Sequence, residues 1–451
     1  MPEKGPETVW FEPKMPAVRQ KVWSQKESGQ NVACGAAEAT AETLARHFPV
    51  MYLFFWRFPQ GGIQSPMDER VSVDVAVVGD GLIGLSSALH LQQSGRRIVV
   101  LGGPAAGRAS TAAAGMLTPA CEYDPWMCRQ FLDLLKSGLS YYKTFLHSDW
   151  TTPEQVDYRS SEFTLTDLGE SEESLRDRMD WMPGLGFDCD WWDTSEVCAR
   201  EPHLSPTAVR GAIRIRNEAV VNPIALWEEM GRAMAARGGK TYSEGLVGVE
   251  EQGERVSLVT GGGVQVVADR VVLAAGAWTA DVARLAGLEV PLCPAKGQMV
   301  LLRGTPHAIG SVVFMPTGGC GSIVERRPGS YVVGTSEEYL VPDEHNTAGV
   351  VGTVLSRLCG VVPDAAHWRI EGMWAGFRPM TSDELPVLGV ADDRRFLVAT
   401  GHHRNGILLA PLTGRLIADA VNGDVPFDGL DLSPFRYGRP LRPHARFAAK
   451  Y

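Results

Sequence analysis

Basic runs, paired cysteines and long apolar stretches are all missing from this 451-residue chain. Lysine and arginine total 43 against 53 acids, a formal charge of −10. No basic run is long enough to neutralise a phosphate backbone, which argues against nucleic acid as a partner. The eight cysteines (Cys34, Cys121, Cys128, Cys189, Cys198, Cys293, Cys320, Cys359) form no Cys-x-x-Cys pair and lack histidines at zinc-ligand spacing. They read as reduced, mostly structural thiols, and no metal is expected. The most apolar stretch, VMYLFFW at 50–56, is far shorter than the roughly 20 residues of a membrane span, and no cleavable signal layout surrounds it. The expectation is a cytoplasmic protein with no membrane partner.

What the chain does have is core. With 44% hydrophobic and 21% charged residues, its length suggests two or three domain-sized units. Residues 1–70 read as a polar, aperiodic extension with one short helix at AAEATAETLARHF, poorly ordered and dispensable. From Val73 the text becomes regular. VDVAVVG (73–79) is a buried strand. LIGLSSALHLQQSG follows with Leu82, Leu85 and Leu89 on one helical face and Gly95 at its end, and RIVVL is a second buried strand. Together they make a right-handed parallel β-α-β unit. Neither internal repeats nor low-complexity tracts interrupt the rest.

Between the first strand and the helix lies Gly79-Asp80-Gly81-Leu82-Ile83-Gly84. Gly79 permits the tight turn, Gly81 lets backbone approach a pyrophosphate, and Gly84 lets helix and strand pack closely. In this context the pattern is a dinucleotide fingerprint. The ribose-binding acid expected about 20 residues on is replaced by Gly102. Binding survives that loss, and Gly102→Glu is expected to tighten it by roughly 1 kcal/mol. RASTAAAGMLTP (108–119), RVVLAAGAWT (270–279) and GHHRNGILLAPLTG (401–414) then supply small residues and a second glycine-flanked helix start, suited to a planar ring.

The order of VVGDGLIGLSSALHL, ASTAAAGMLTP, VVLAAGAW, PAKGQMVLL, WAGFRPMTSDELPVLG and TGHHRNGILLAP resembles the D-amino-acid oxidase superfamily, and within it the glycine oxidase branch of thiamine synthesis. The resemblance runs from about residue 71 to 435. It implies an α/β (overall α+β) protein, with a Rossmann-like FAD-binding domain interleaved with a substrate domain on an antiparallel sheet. The expected division is 71–122, 206–295 and 372–435 for the FAD domain, 123–205 and 296–371 for the substrate domain, and 436–451 as a tail.

The same resemblance implies roles for residues. Non-covalent FAD would contact Gly79, Gly81, Leu82, Gly84, Gly102, Ala109, Ser110, Ala114, Gly115, Met116 and Leu246, and the loop His402, His403, Arg404, Asn405, Gly406, Ile407 and Leu408. Arg378 in GFRPM would pair with the substrate carboxylate, since a guanidinium matches it bidentately. Arg404 would lie near flavin and substrate as the second catalytic arginine, with Met116 and Thr118 at the substrate. His402 and His403 read as packing or flavin contacts rather than acid–base groups, and Asp383 and Glu384 as a solvated turn. Trp181, Trp191 and Trp192 read as core.

Two positions depart from the branch. Ser322 in GSIVERR stands where the pattern has a pocket tyrosine, and Glu337 in VVGTSEEY where it has a methionine. Both changes put simple glycine in doubt and favour a bulkier N-substituted glycine, R-NH-CH2-COOH, with molecular oxygen as co-substrate. The products would be glyoxylate, the freed amine and hydrogen peroxide, in a setting such as the biosynthesis of an amino acid building block. A flavin dehydrogenase with another electron acceptor, an imino-acid oxidase and a non-catalytic flavin-binding subunit all remain open, as does a homo-oligomer.

Overall fold

The structure is a computed structural model that describes residues 69–103, 106–166, 172–315, 321–339, 343–391 and 393–441. Residues 1–68 of the expected N-terminal extension with its helix, Cys34, Cys320 and residues 442–451 of the expected tail lie outside the described residues.

The first strand runs Arg70–Val78, starting three residues earlier than its apolar text suggests. It pairs in parallel with Ile98–Leu101 on one side and Gln265–Leu273 on the other. The eight-stranded sheet continues to Phe396–Thr400 and Val387–Val390 at one edge and Lys240–Tyr242 at the other. Alternation sends Val75 and Val77 into the hydrophobic cluster on one face, and Ala76 and Val78 into the cluster on the opposite face. Both faces are therefore covered, as continuous apolar strands require.

Leu82–Gln93 forms the expected helix, but it is buried on nearly every side rather than amphipathic. It lies against the sheet, the helix Pro223–Ala236 and the helix Gly406–Asn422. That last contact is close: a Cβ on Gly414 would stand 2.5 Å from the Ser86 carbonyl carbon.

The second sheet has ten strands, mostly antiparallel, and its longest pairing joins Cys293–Arg303 to Arg369–Met380. Its members include Met116–Leu117 and Gly211–Val220. The expected boundaries are corrected here. Segments 116–117, 211–220 and 372–380, assigned from the text to the FAD domain, hydrogen-bond within the second sheet. Strand text reports a half-buried surface, not which sheet supplies the partner.

Candidate active site

The fingerprint turns as its glycines demand. Gly79 has φ +116°, and a side chain there would collide with the Ala274 carbonyl, while one on Gly84 would collide with the Gly79 carbonyl. Gly81 begins the helix without a side-chain cap of its own and without acids in the first turn, so the positive end of the helix dipole suits an anion. Ser110, in the short helix Ala109–Ala112, accepts from Leu82 N at 3.0 Å. A second uncapped helix start lies at Gly406, also without first-turn acids. Ile407 and Leu408 are buried there, and the Tyr142 hydroxyl donates to the Ile407 carbonyl at 2.5 Å.

Two buried polar atoms beside that start lack a protein partner: His402 Nδ1 and Asn405 Oδ1. His402 Nε2 lies 3.0 Å from Thr413 Oγ1. Burial pushes its ring down to about 3, so it is neutral. The loop bearing Ala114, Gly115 and Met116 is fixed from the second sheet. Arg326 donates to the Ala113 carbonyl at 2.6 Å, Trp374 Nε1 to the Ala112 carbonyl at 2.9 Å, and Met116 pairs with Val220. Leu246 is a core residue, next to Gly245, whose amide donates to the Gly102 carbonyl at 2.9 Å.

A cavity of about 500 Å³ opens beside the histidine–arginine loop. Its wall carries Glu122, Asp124, Asp177, Glu337 and Glu384 against Arg178, Arg404 and His403. Arg404 donates through Nε and Nη2 to Glu122 Oε2 at 2.9 and 2.8 Å, and the Glu122 charge raises its already high pKa. His403 Nε2 lies 2.9 Å from Glu337 Oε1, and its Nδ1 is 4.0 Å from Glu384 Oε2. The backbone of His403 is left-handed, with φ +47°, a strained conformation for a residue with a Cβ.

Arg378 is not on the cavity wall itself. It donates to two neutral oxygens, Ser336 O at 3.2 Å and Thr335 Oγ1 at 2.9 Å. Burial lowers its pKa, and Glu337 opposes that shift, while Arg404 and Glu122 act on it as well. Gly297 leaves the room its guanidinium occupies.

Several expectations change in three dimensions. Ser322 is buried, its hydroxyl donating to Gly334 O at 3.1 Å, and it does not line the cavity. Thr118 is also buried away from the wall, capping Cys121 N at 3.2 Å. Asp383 is no solvated turn residue: it is buried and held by Arg439 at 2.9 and 3.0 Å. Glu384 faces the cavity. His403 is hydrogen-bonded to a carboxylate rather than simply packed. Trp192 is core and Trp191 lies against Arg176, but Trp181 lines the cavity.

Glu122 and Arg178 escaped the sequence reading. Arg178 donates to the carbonyls of Ala120, Cys121 and Tyr123 and so rivets the segment that carries Glu122. The signal for Glu122 was its place just after the small-residue motif. Arg178 lies in an unremarkable charged helix, Glu172–Trp181.

Comparison with known proteins adds to this geometry. Residues 74–420 match the family described as DAO, FAD dependent oxidoreductase. The chain is 32% identical over 374 residues to the glycine oxidase of Geobacillus kaustophilus, covering 82% of this chain and 97% of the relative. It is 32% identical over 382 residues to the bifunctional protein ThiO/ThiG of Nostoc sp., covering 81% of this chain but only 55% of that longer protein. The crystal structure of glycine oxidase from Geobacillus kaustophilus superposes with a TM-score of 0.76 at 29% identity, over 82% of this chain and 100% of the other.

Proposed function

The chain belongs to the FAD dependent oxidoreductase family, and on that footing we propose that it oxidises an N-substituted glycine, R-NH-CH2-COOH, with R larger than methyl. The substrate, oxygen and water become glyoxylate, the amine R-NH2 and hydrogen peroxide. The C–N bond is oxidised and then hydrolysed, and oxygen takes the two electrons.

FAD is the cofactor of this family, and the residues present fit it. The glycine cradle and the uncapped helix start suit its pyrophosphate. His402 Nδ1 and Asn405 Oδ1 are buried atoms that a polar ring edge would satisfy. Bound FAD supplies the hydride acceptor.

The single observation that carries the substrate is the charged cavity at His403 and Arg404, whose Glu122, Glu337 and Arg404 act electrostatically on Arg378. At about 500 Å³ it falls in the range of about 300–1,000 Å³ that suits small-molecule sites, more than glycine fills. Arg404 is engaged by Glu122, whereas the hydrogen bonds of Arg378 go to neutral oxygens. Arg378 is therefore the guanidinium whose charge a substrate carboxylate completes. His403, oriented by Glu337, is placed to take the ammonium proton and present a neutral amine. The names of the relatives, glycine oxidase and ThiO/ThiG, support a glycine-type substrate.

The test is a peroxide assay of purified protein against glycines with progressively larger N-substituents. Each methylene on R should improve kcat/KM by up to about 0.8 kcal/mol until the cavity is full. The reading falls if glycine or sarcosine outperforms every bulkier compound. Flavin reduction without peroxide in air would instead identify a dehydrogenase.

A further inference from the structure

The strand Ile98–Leu101 ends at Gly102, where a fold of this kind usually presents an acid to the ribose hydroxyls. That space is taken. A Cβ on Gly102 would lie 2.8 Å from Asp80 Cγ and 2.9 Å from Asp80 Oδ2. The carboxylate of the second fingerprint residue thus lies against the end of the second strand, where the side chain of an acid at 102 would begin.

Asp80 is held there by Arg108 and Trp227, which also contact each other. Arg108 Nη2 donates to its Oδ1 at 2.8 Å and its Oδ2 at 2.7 Å. The Arg108 guanidinium lies over the Trp227 ring, 4.9 Å from its centroid. Trp227 Nε1 donates in turn to the Asp80 carbonyl at 2.6 Å. The ion pair is largely buried, with side chains 10% and 17% exposed. An ion pair shielded this far loses much of its hydration, and a surface turn gains little from it.

We propose that Asp80 is the acceptor for the adenosine ribose hydroxyls of FAD, supplied from inside the fingerprint instead of from the end of the second strand. Arg108 and Trp227 are its positioning residues. A carboxylate has about four acceptor sites, and Arg108 takes one on each oxygen, which leaves capacity for a vicinal diol. Arg108 also cancels a negative charge that would otherwise repel the neighbouring pyrophosphate. The inference rests on dinucleotide binding alone and is independent of which amine is oxidised. It also reverses the expectation for Gly102→Glu, since a second carboxylate would be forced against the first.

The experiment titrates flavin-stripped protein with FAD and with FMN, which lacks the adenosine, and reads flavin fluorescence. The isosteric Asp80→Asn should weaken FAD by roughly tenfold, the scale of a lost charge-assisted hydrogen bond, and leave FMN unchanged. Gly102→Glu alone should not tighten FAD. Asp80→Ala combined with Gly102→Glu should bind FAD more tightly than Asp80→Ala alone, because the acid has moved to its usual place. The proposal is overturned if Asp80→Asn leaves FAD affinity unchanged or weakens FMN equally. A Gly102→Glu protein that binds FAD more tightly, or a double variant no better than Asp80→Ala, overturns it too. None of these readings depends on peroxide formation, so a wrong amine assignment would leave them intact.

Discussion

The cofactor cradle and the cavity handle charge in opposite ways. Around the fingerprint, the anion-binding groups are backbone amides, and the one ion pair, Asp80–Arg108, is sealed against Trp227. Across the cavity, five carboxylates face two arginines and a histidine that come from five separate stretches of chain. The cradle works through shape and fixed dipoles. The cavity instead gathers carboxyl, guanidinium and imidazole side chains, the groups to which the proposed substrate would bind.

The sharpest break between the two regions should come from Arg378→Ala. It removes the guanidinium proposed for the substrate carboxylate, and losing such a pair costs about 2–5 kcal/mol. We expect kcat/KM on the best N-substituted glycine to fall by that amount while the Kd for FAD stays unchanged. Near-normal turnover would erase the distinction at this residue.

A second way to separate the regions is pH, because each contains a buried group shifted in a direction that opposes the other. Near the cavity, burial raises Glu218 to about 8, with one carboxyl oxygen lacking a partner. Its folded pKa lies above the unfolded value, so its contribution is most favourable at low pH and is lost as pH rises from about 4.5 to 8. Replacing it removes that penalty. Glu218→Gln should gain roughly 3 kcal/mol relative to wild type between pH 5 and pH 8, read from urea midpoints. A pH-independent difference would mean that Glu218 titrates normally.

The smallest expected effect lies in the fingerprint helix. Burial lowers His90 to about 4, its ring held by the Ser86 carbonyl at 2.8 Å and the Tyr141 hydroxyl at 2.9 Å. A folded pKa below the unfolded one of about 6.5 means the neutral ring stabilises the fold above pH 6.5, and that stability is lost as pH falls towards 4. Wild type should lose about 2 kcal/mol between pH 7 and pH 5 from this group, and His90→Gln should flatten that slope. An unchanged slope would place the acid sensitivity elsewhere.

These groups show what could be read in advance. The fingerprint, both helix starts and the buried strands were legible because each is a local pattern: glycines at fixed spacing, apolar runs, a small-residue loop before a helix. Arg378 and Arg404 were singled out through the motifs around them. Glu122 and Arg178 were not, and Glu384 was misread as solvated. A lone acid or arginine has no periodicity, and only its neighbour in space reveals its work. Ser322 failed in the other direction. It was a real departure in the text, but its hydroxyl is spent on the Gly334 carbonyl.

By itself, then, the sequence determined a parallel nucleotide-binding unit and the loops around it, because backbone conformation and burial follow from residues close together in the chain; the antiparallel partner sheet was expected through the family resemblance. Tertiary structure alone decided the rest. It placed Glu337 on His403 and Glu122 on Arg404, moved strands 211–220 and 372–380 into the second sheet, and filled the space beside Gly102 with Asp80. Each of these joins side chains or strands separated by tens to hundreds of residues. The energy of an ion pair or a strand pairing depends on distance in space, which no local spacing records.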